Sequence, residues 1–381
     1  MNNPITEIAS YLKHQDYSLA VRRMLDLSLD AGDVNLLNET IGWSREYHRN
    51  EKSTDNNTVS TSFLEQAEKI LNHANAIYKI EATKPVELLN VSSIAKTYSR
   101  GNFSLKPISL QVGSGEIMGI VGENGNGKTT LLRCLAGQLA LDKGYIDYRL
   151  LHRPDRYDVR KYIAFIPQRI PRWYGKLRDN LHFSASIAGV YGEENKQMVD
   201  FMLERLNLYD FAELSWTQIS SGYRTRFEIA RILLQKPKLL ILDEPLANLD
   251  INAQQTILTD LRFIAKSAHS PMGIILSSQQ LHEVEKIADT VLFIKQGDCL
   301  FRTNTTSSIA IGNVIEVETL ATRESILAIL GEESVQVQYN GGFYTITSTA
   351  YSPRQMIGKL LSQEIAVSYF RDITHSTKRF F

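Results

Sequence analysis

Cysteine is scarce in this 381-residue chain: there are two, Cys134 and Cys299, far apart and without metal-type spacing. Nothing in that pattern asks for an oxidising compartment. An excess of charge is missing too. Lys plus Arg (42) equals Asp plus Glu (42), and no long basic tract appears, so no nucleic-acid partner is expected. No uninterrupted apolar run approaches the ~18 residues that would span a bilayer. The opening Met1-Asn2-Asn3-Pro4 leads into polar and acidic residues rather than the basic and apolar regions of a signal peptide. The expectation is a soluble chain. Any membrane process it serves must use another polypeptide to cross the lipid.

What is present is a phosphate-cradling loop. Gly122, Glu123, Asn124, Gly125, Asn126, Gly127, Lys128, Thr129 and Thr130 follow an apolar stretch (117–121) and open onto a helical one (131–136). That strand–loop–helix context is what the motif requires. The glycines let the backbone turn where a Cβ would clash. Successive N–H groups then face inward at a helix start, where the dipole favours anions. Lys128 adds a point charge for terminal phosphates, and Thr129 puts a hydroxyl on Mg²⁺. Cys134 falls in the helix after the loop and reads as a small buried apolar residue.

Three regions are expected. Residues 1–84 read as a helical domain, with apolar residues at helical spacing through Leu19, Val21, Met24, Leu25 and Leu27. A polar loop is predicted over 51–58, then a capping box on Ser62 and Glu65 opening an amphipathic helix. This region carries 12 acidic and 9 basic residues, which again disfavours nucleic acid. Residues 85–305 alternate short strands with helices, an α/β domain. Strands are predicted at 86–91, 108–112, 116–121, 162–166, 239–242, 273–276 and 290–294, several of them apolar runs buried on both faces. Residues 306–381 read β-α-β-β-α-β, a ferredoxin-like unit. It has a hairpin at Asn340-Gly341-Gly342 and a helix started by Ser352 and Pro353.

The run Leu239-Leu240-Ile241-Leu242-Asp243-Glu244-Pro245 is an apolar strand ending in two acids. In phosphate-loop ATPases such a strand lies beside the loop and its terminal aspartate helps hold Mg²⁺, a role Asp243 fits. Glu244 then sits where a carboxylate can polarise water.

Taken together, 85–301 resembles the nucleotide-binding subunit of an ATP-binding cassette (ABC) transporter. Five more elements stand in that family's order. Tyr98 matches the aromatic that stacks on adenine, and Gln168 the glutamine that reaches Mg²⁺ and water. Ser220, Ser221 and Gly222 stand where the family has its Leu-Ser-Gly-Gly-Gln signature. Ala247 to Asp250 matches the segment after the catalytic acid, and Ser278-Gln279-Gln280 the switch. The resemblance implies a P-loop NTPase domain that binds and hydrolyses ATP with Mg²⁺. It implies Glu244, Gln168 and Gln279 as catalytic, with Thr129, Gln168 and Asp243 on the metal. It also implies a head-to-tail pair in which Ser220 and Gly222 of a second copy or paralogue cover the nucleotide, and it counts Ser221 and Asp250 among the nucleotide-binding residues. The helical insert 169–217 would grip a separate integral membrane permease, leaving the chain cytoplasmic and peripheral to the membrane. Leu177 to Leu181 and Ile187 to Gly192 look exporter-like, so export is expected.

Departures from the pattern are Ser221 and Tyr223 in the signature, the tail Ser376 to Phe381, and Gln279 in place of the switch histidine. A glutamine amide can donate to a γ-phosphate but cannot carry a proton or a charge. Slowed turnover is therefore expected. A second reading is a weakly hydrolysing, nucleotide-gated regulatory subunit. His282 reads as a solvent-facing helix residue, not a replacement.

Overall fold

The computed structural model describes residues 3–53, 60–78, 86–98, 103–149, 159, 161–247, 249–267, 270–304 and 312–374. Helices come first: α1 (Pro4–Lys13), α2 (Tyr17–Ala31), α3 (Val34–Ser53) and α4 (Thr61–Ile77). Asp16 caps α2 by accepting from the Leu19 N–H, and Gly32, at φ +69°, ends it in a conformation that suits a residue without Cβ. The bundle closes on Trp43, stacked on Phe63 at 4.6 Å between centroids, with its indole N–H donating to the Phe63 carbonyl.

The start of α4 corrects one expectation. Its N-cap is Ser60, whose hydroxyl accepts from the Phe63 N–H, and Ser62 lies inside the first turn. Ser60 has the extended backbone that a cap needs, so the helix begins one residue before Ser62. The predicted loop at 51–58 is shortened as well, because α3 continues to Ser53; residues 54–58 lie outside the described residues.

Two sheets follow. The chain runs β1 (Glu87–Thr97), β2 (Ser104–Gly113), β3 (Ile117–Val121), α5 (Lys128–Leu135), β4 (Lys143–Tyr148), β5 (Ile163–Ile166), α6 (Leu177–Ile187), α7 (Gly192–Arg205) and α8 (Ser221–Leu233). It continues through β6 (Leu239–Leu242), α9 (Ile251–Ala265), β7 (Gly273–Ser278), α10 (Leu281–Val284), β8 (Thr290–Lys295) and β9 (Asp298–Asn304). An antiparallel sheet has the order β2-β1-β4, and the main sheet the order β5-β6-β7-β3-β8-β9. The main sheet is parallel from β5 through β8 and antiparallel at β9. Every residue of β3, β6 and β7 is buried; β3 and β6 are wholly apolar, as strands covered on both faces should be, while β7 ends in the buried pair Ser277 and Ser278. β4 and β9 were not expected. β4 reads Lys-Gly-Tyr-Ile-Asp-Tyr, a half-exposed edge strand without apolar alternation.

The third unit is β10 (Asn313–Thr319), α11 (Arg323–Leu330), β11 (Gln336–Asn340), β12 (Phe343–Ser348), α12 (Pro353–Ser362) and β13 (Val367–Asp372). Its antiparallel order β11-β12-β10-β13 is that of a ferredoxin-like sheet, with its own core of Ile315, Val317, Ile326, Ile346, Met356 and Leu360. Gly341 and Gly342, both at positive φ, join Asn340 to its partner Phe343 in a two-residue hairpin. Ser352 and Gln355 cap α12 reciprocally and Pro353 is its first residue. The expected region boundaries near 84 and 305, and the tail 376–381, lie outside the described residues.

The N-terminal bundle does not stand apart. Its apolar residues share one core with α6, α7, α8 and the main sheet. Charges are buried in that junction. Arg205 of α7, 3% exposed, donates to Asp26 of α2 at 2.7 Å and to Asp260 of α9 at 2.6 Å. Burial alone would lower the Arg205 pKa; the two carboxylates outweigh it and raise it. Glu204 accepts from Arg45 at 3.0 Å and from Ser44 at 3.1 Å, while burial pushes its carboxyl up. Three buried atoms here, Arg205 Nη2, Asp26 Oδ2 and Arg45 Nη2, lack a well-aligned hydrogen bond, although Arg45 Nη2 pairs with Asp200 at 2.9 Å.

Candidate nucleotide site

The loop 122–127 leaves the carboxyl end of β3, between β7 and β8, where open α/β sheets place their ligands. Two glycines are sterically required. A Cβ on Gly122 would lie 2.3 Å from the Ile294 carbonyl oxygen. Gly127 has φ +100° and caps α5, and a Cβ there would meet the Phe103 ring at 2.4 Å. Asn126 is buried; its side-chain oxygen accepts from the Gln296 N–H and its carbonyl from Gly297, tying the loop to the β8–β9 turn. Glu123, Asn124 and Gly125 are exposed at the crest.

Lys128 is buried, and each of its three donors has an acceptor. The ammonium donates to the Gly122 carbonyl at 2.7 Å and the Glu123 carbonyl at 3.1 Å, and pairs with Glu244 Oε1 at 3.1 Å. Glu244 is the meeting point of the site. Its Oε2 accepts from the side-chain amides of Gln168 and Gln279, both at 2.8 Å. Three of the residues expected to be catalytic are thus brought into direct contact. Glu244 holds a left-handed backbone, φ +48°, an uncommon conformation for a residue with a side chain.

Asp243 forms the neighbouring group. One carboxylate oxygen accepts from Thr129 and the other from Ser277, each at 2.8 Å. A cavity of about 410 Å³ opens beside this pair, lined by Thr129, Arg133, Phe165, Gln168, Arg169 and Asp243. Tyr98 lies at its loop's end, 37% exposed, with its hydroxyl 3.4 Å from Thr130 Oγ1 and its ring 6.5 Å from Phe103. Cys134 is buried on α5, and desolvation pushes its thiol up to about 11, consistent with a packing role.

Other expected residues belong to a different set of contacts. Ser220 is exposed at the start of α8 and makes no capping hydrogen bond, with exposed Ser221 beside it. Gly222 is buried, its α-carbon facing Ala253 and Leu249. Asp250 caps α9 by accepting from the Ala253 N–H. The helix that follows the signature, α8, begins at Ser221 itself. Asn248 lies outside the described residues. His282 is exposed on α10, as expected.

Sequence reasoning missed Phe103, Ser277 and Trp173. Trp173 stacks on Trp216 at 4.9 Å and donates to Glu228 of α8, linking the chain just past Gln168 to the helix that Ser220 precedes. The β-branched and aromatic content around these positions gave no local signal, because each acts on residues distant in sequence.

Residues 105–247 match the ABC transporter family. Among curated proteins, the chain is 28% identical to a phosphonates import ATP-binding protein (PhnC) of Treponema denticola, over 56% of this chain and 88% of that one. It is 32% identical to an uncharacterized ABC transporter ATP-binding protein (YxlF) of Bacillus subtilis, over 55% of this chain and 69% of that one. Among solved structures, it superposes on cbiO1 of Clostridium perfringens, described as part of an ABC transporter complex, with TM-score 0.52 and 27% identity, covering 57% and 89%. The four N-terminal helices and the ferredoxin-like unit lie outside the family match.

Proposed function

The chain belongs to the ABC transporter ATP-binding family, a family of ATP-hydrolysing subunits, and from that premise we propose the roles its residues play. The observation that carries the proposal is the convergence of Lys128, Gln168 and Gln279 on Glu244. Glu244 orients and polarises the water that attacks the γ-phosphate. Lys128 exchanges Glu244 and the two loop carbonyls for phosphate oxygens, and so releases Glu244 to face water when nucleotide arrives. Gln279 donates to the γ-phosphate. The loop amides from Gly122 to Thr130 and the α5 dipole neutralise the remaining charge. Tyr98, beside Thr130, presents its ring to the base.

Mg²⁺ fits the donor set. Thr129 and Asp243 place two hard oxygens side by side, and Gln168 adds an amide oxygen. Among the described residues no group of three or more His, Cys, Asp or Glu could hold a metal, so phosphates and water would complete the shell. Held by Thr129, Asp243 and Gln168, Mg²⁺ would supply positive charge to offset the charge that develops on the phosphates.

Closure needs a second cassette, a copy of this chain or a paralogue, whose Ser220, Ser221 and Gly222 cap the nucleotide while Asp250 lines the interface. We place the permease on a separate integral chain; no helix among the described residues is long and apolar enough to cross a membrane. The protein then sits at the cytoplasmic face of the membrane, held by that partner. Its docking surface is the helical insert, where Tyr174, Phe183, Ile187 and Tyr191 are each more than 60% exposed. Phe183 and Ile187 share one face of α6 at i, i+4 spacing. Exposed aromatics of this kind mark binding surfaces. Phe183→Asp should cut retention on membranes that carry the permease by about tenfold or more, with basal ATPase unchanged. Equal retention would remove this surface from the interface. Transport direction is a property of the permease: the exporter-like runs at 177–181 and 187–192 favour export, whereas the phosphonate relative is named for import. We place the regions at 1–84, 85–305 and 306–381.

One observation favours the weakly hydrolysing alternative: the neutral Gln279 at the switch. Gln279→His supplies a group that can carry charge and should raise steady-state ATPase roughly three- to tenfold, up to ~1.4 kcal/mol off the barrier. A phosphate-release assay reads this directly. An unchanged rate would show that the glutamine costs nothing.

A further inference from the structure

Ser277 has no part in the roles assigned above, yet its hydroxyl touches both acids of the site. It is fully buried near the carboxyl end of β7. Its Oγ donates to Asp243 Oδ1 at 2.8 Å and accepts from the Glu244 N–H at 2.9 Å. Buried strand serines usually bond locally. This one reaches 33 and 34 residues back along the sequence, across to the end of β6.

The reason lies in the sheet register. The β6–β7 ladder ends with Leu242 opposite Leu276, so the next residues of β6 have no backbone partner on β7. The Asp243 N–H turns away to the Ile166 carbonyl. The Glu244 N–H is left in the interior, in a chain that has just swung to φ +48°. An unmet N–H there would oppose that conformation. The Ser277 hydroxyl replaces the missing ladder bond, and its own proton then points to Asp243. With Oδ1 so occupied, Oδ2 faces Thr129. One hydroxyl therefore holds the Asp243 carboxylate and the backbone that carries Glu244.

We propose that Ser277 is a positioning residue for the ATPase: it holds Asp243 in the rotamer that presents Oδ2 beside Thr129, and it stabilises the left-handed backbone that aims Glu244. The inference rests on the roles proposed for Asp243 and Glu244. Alanine would leave the Asp243 oxygen and the Glu244 N–H without their partner, whereas threonine keeps the hydroxyl at the same Cβ.

The test uses the full chain and its Ser277→Ala and Ser277→Thr variants. Phosphate release gives kcat and KM. Binding of a fluorescent ATP analogue, with Mg²⁺ and with EDTA, is measured in a Glu244→Gln background so that no turnover intervenes. Expected for Ser277→Ala is a kcat loss of about tenfold or more, the equivalent of one buried hydrogen bond. The Mg²⁺-dependent part of binding should weaken by a similar factor while binding in EDTA stays within about twofold. Ser277→Thr should restore both. Should the alanine variant fail to fold, as judged by thermal unfolding, Ser277→Cys keeps the volume with a weaker donor and must fall between serine and alanine. The proposal is overturned by wild-type kcat and Mg²⁺ dependence in the alanine variant, or by a threonine variant as impaired as alanine. If the unmodified chain neither binds nor hydrolyses ATP, the functional reading itself fails, a result distinct from either.

Discussion

Glu244→Gln should reduce steady-state ATP hydrolysis by roughly 10²–10⁴-fold, the range for removing a positioned general base. The amide keeps the size and shape of the side chain but cannot take up or strongly polarise a proton of the attacking water. ATP binding should survive and even tighten. In the present geometry Glu244 engages the ammonium of Lys128 at 3.1 Å, so a carboxylate competes with phosphate for that cation. A neutral amide competes less. Phosphate release and equilibrium binding of a fluorescent nucleotide, measured on one preparation, separate the two effects. Hydrolysis within threefold of wild type would remove Glu244 from the chemistry and with it the roles built around it.

The second large effect is on stability. Arg205→Ala should destabilise the fold by ~3–5 kcal/mol, the typical cost of breaking a buried ion pair by deleting one partner. Asp260 is 2% exposed in its side chain, and its other partner, Arg22, stands at 3.4 Å. Removing the guanidinium therefore leaves a buried carboxylate poorly compensated, with Asp26 beside it. The triple change Arg205→Met, Asp26→Leu, Asp260→Leu replaces the whole cluster with apolar volume and should recover most of the loss. Urea unfolding of the two variants provides the comparison. A loss under about 1 kcal/mol for Arg205→Ala would mean that water reaches the cluster and that the charges behave as surface groups.

The phosphate loop was legible in the sequence because its chemistry is local. Glycine, lysine and threonine at fixed offsets between an apolar strand and a helix specify one turn, and the structure seats Lys128 and Thr129 against Glu244 and Asp243. The apolar runs Leu239 to Leu242 and Gly273 to Leu276 were equally direct, since strands covered on both faces need no alternation. What escaped was set by tertiary neighbours. Ser277 looks like any strand residue until β6 ends one register earlier. Phe103 matters only because the Gly127 α-carbon lies against its ring. Glu204 and Arg205 end α7, and their partners Arg45 and Asp26 lie on N-terminal helices far away in sequence. Ser60 lost to Ser62 in the sequence reading because glutamate at the third position is a pattern, whereas capping is a backbone conformation.

The shared apolar core of the N-terminal helices and the cassette has a consequence for how the molecule comes together. α7 and α9 find ion-pair partners on a segment synthesised long before them, so the packing of the first helices is complete only when α9 has emerged. The cassette acquires its outer layer from its own beginning, and a fragment cut at the edges of the family match would lack part of its interior.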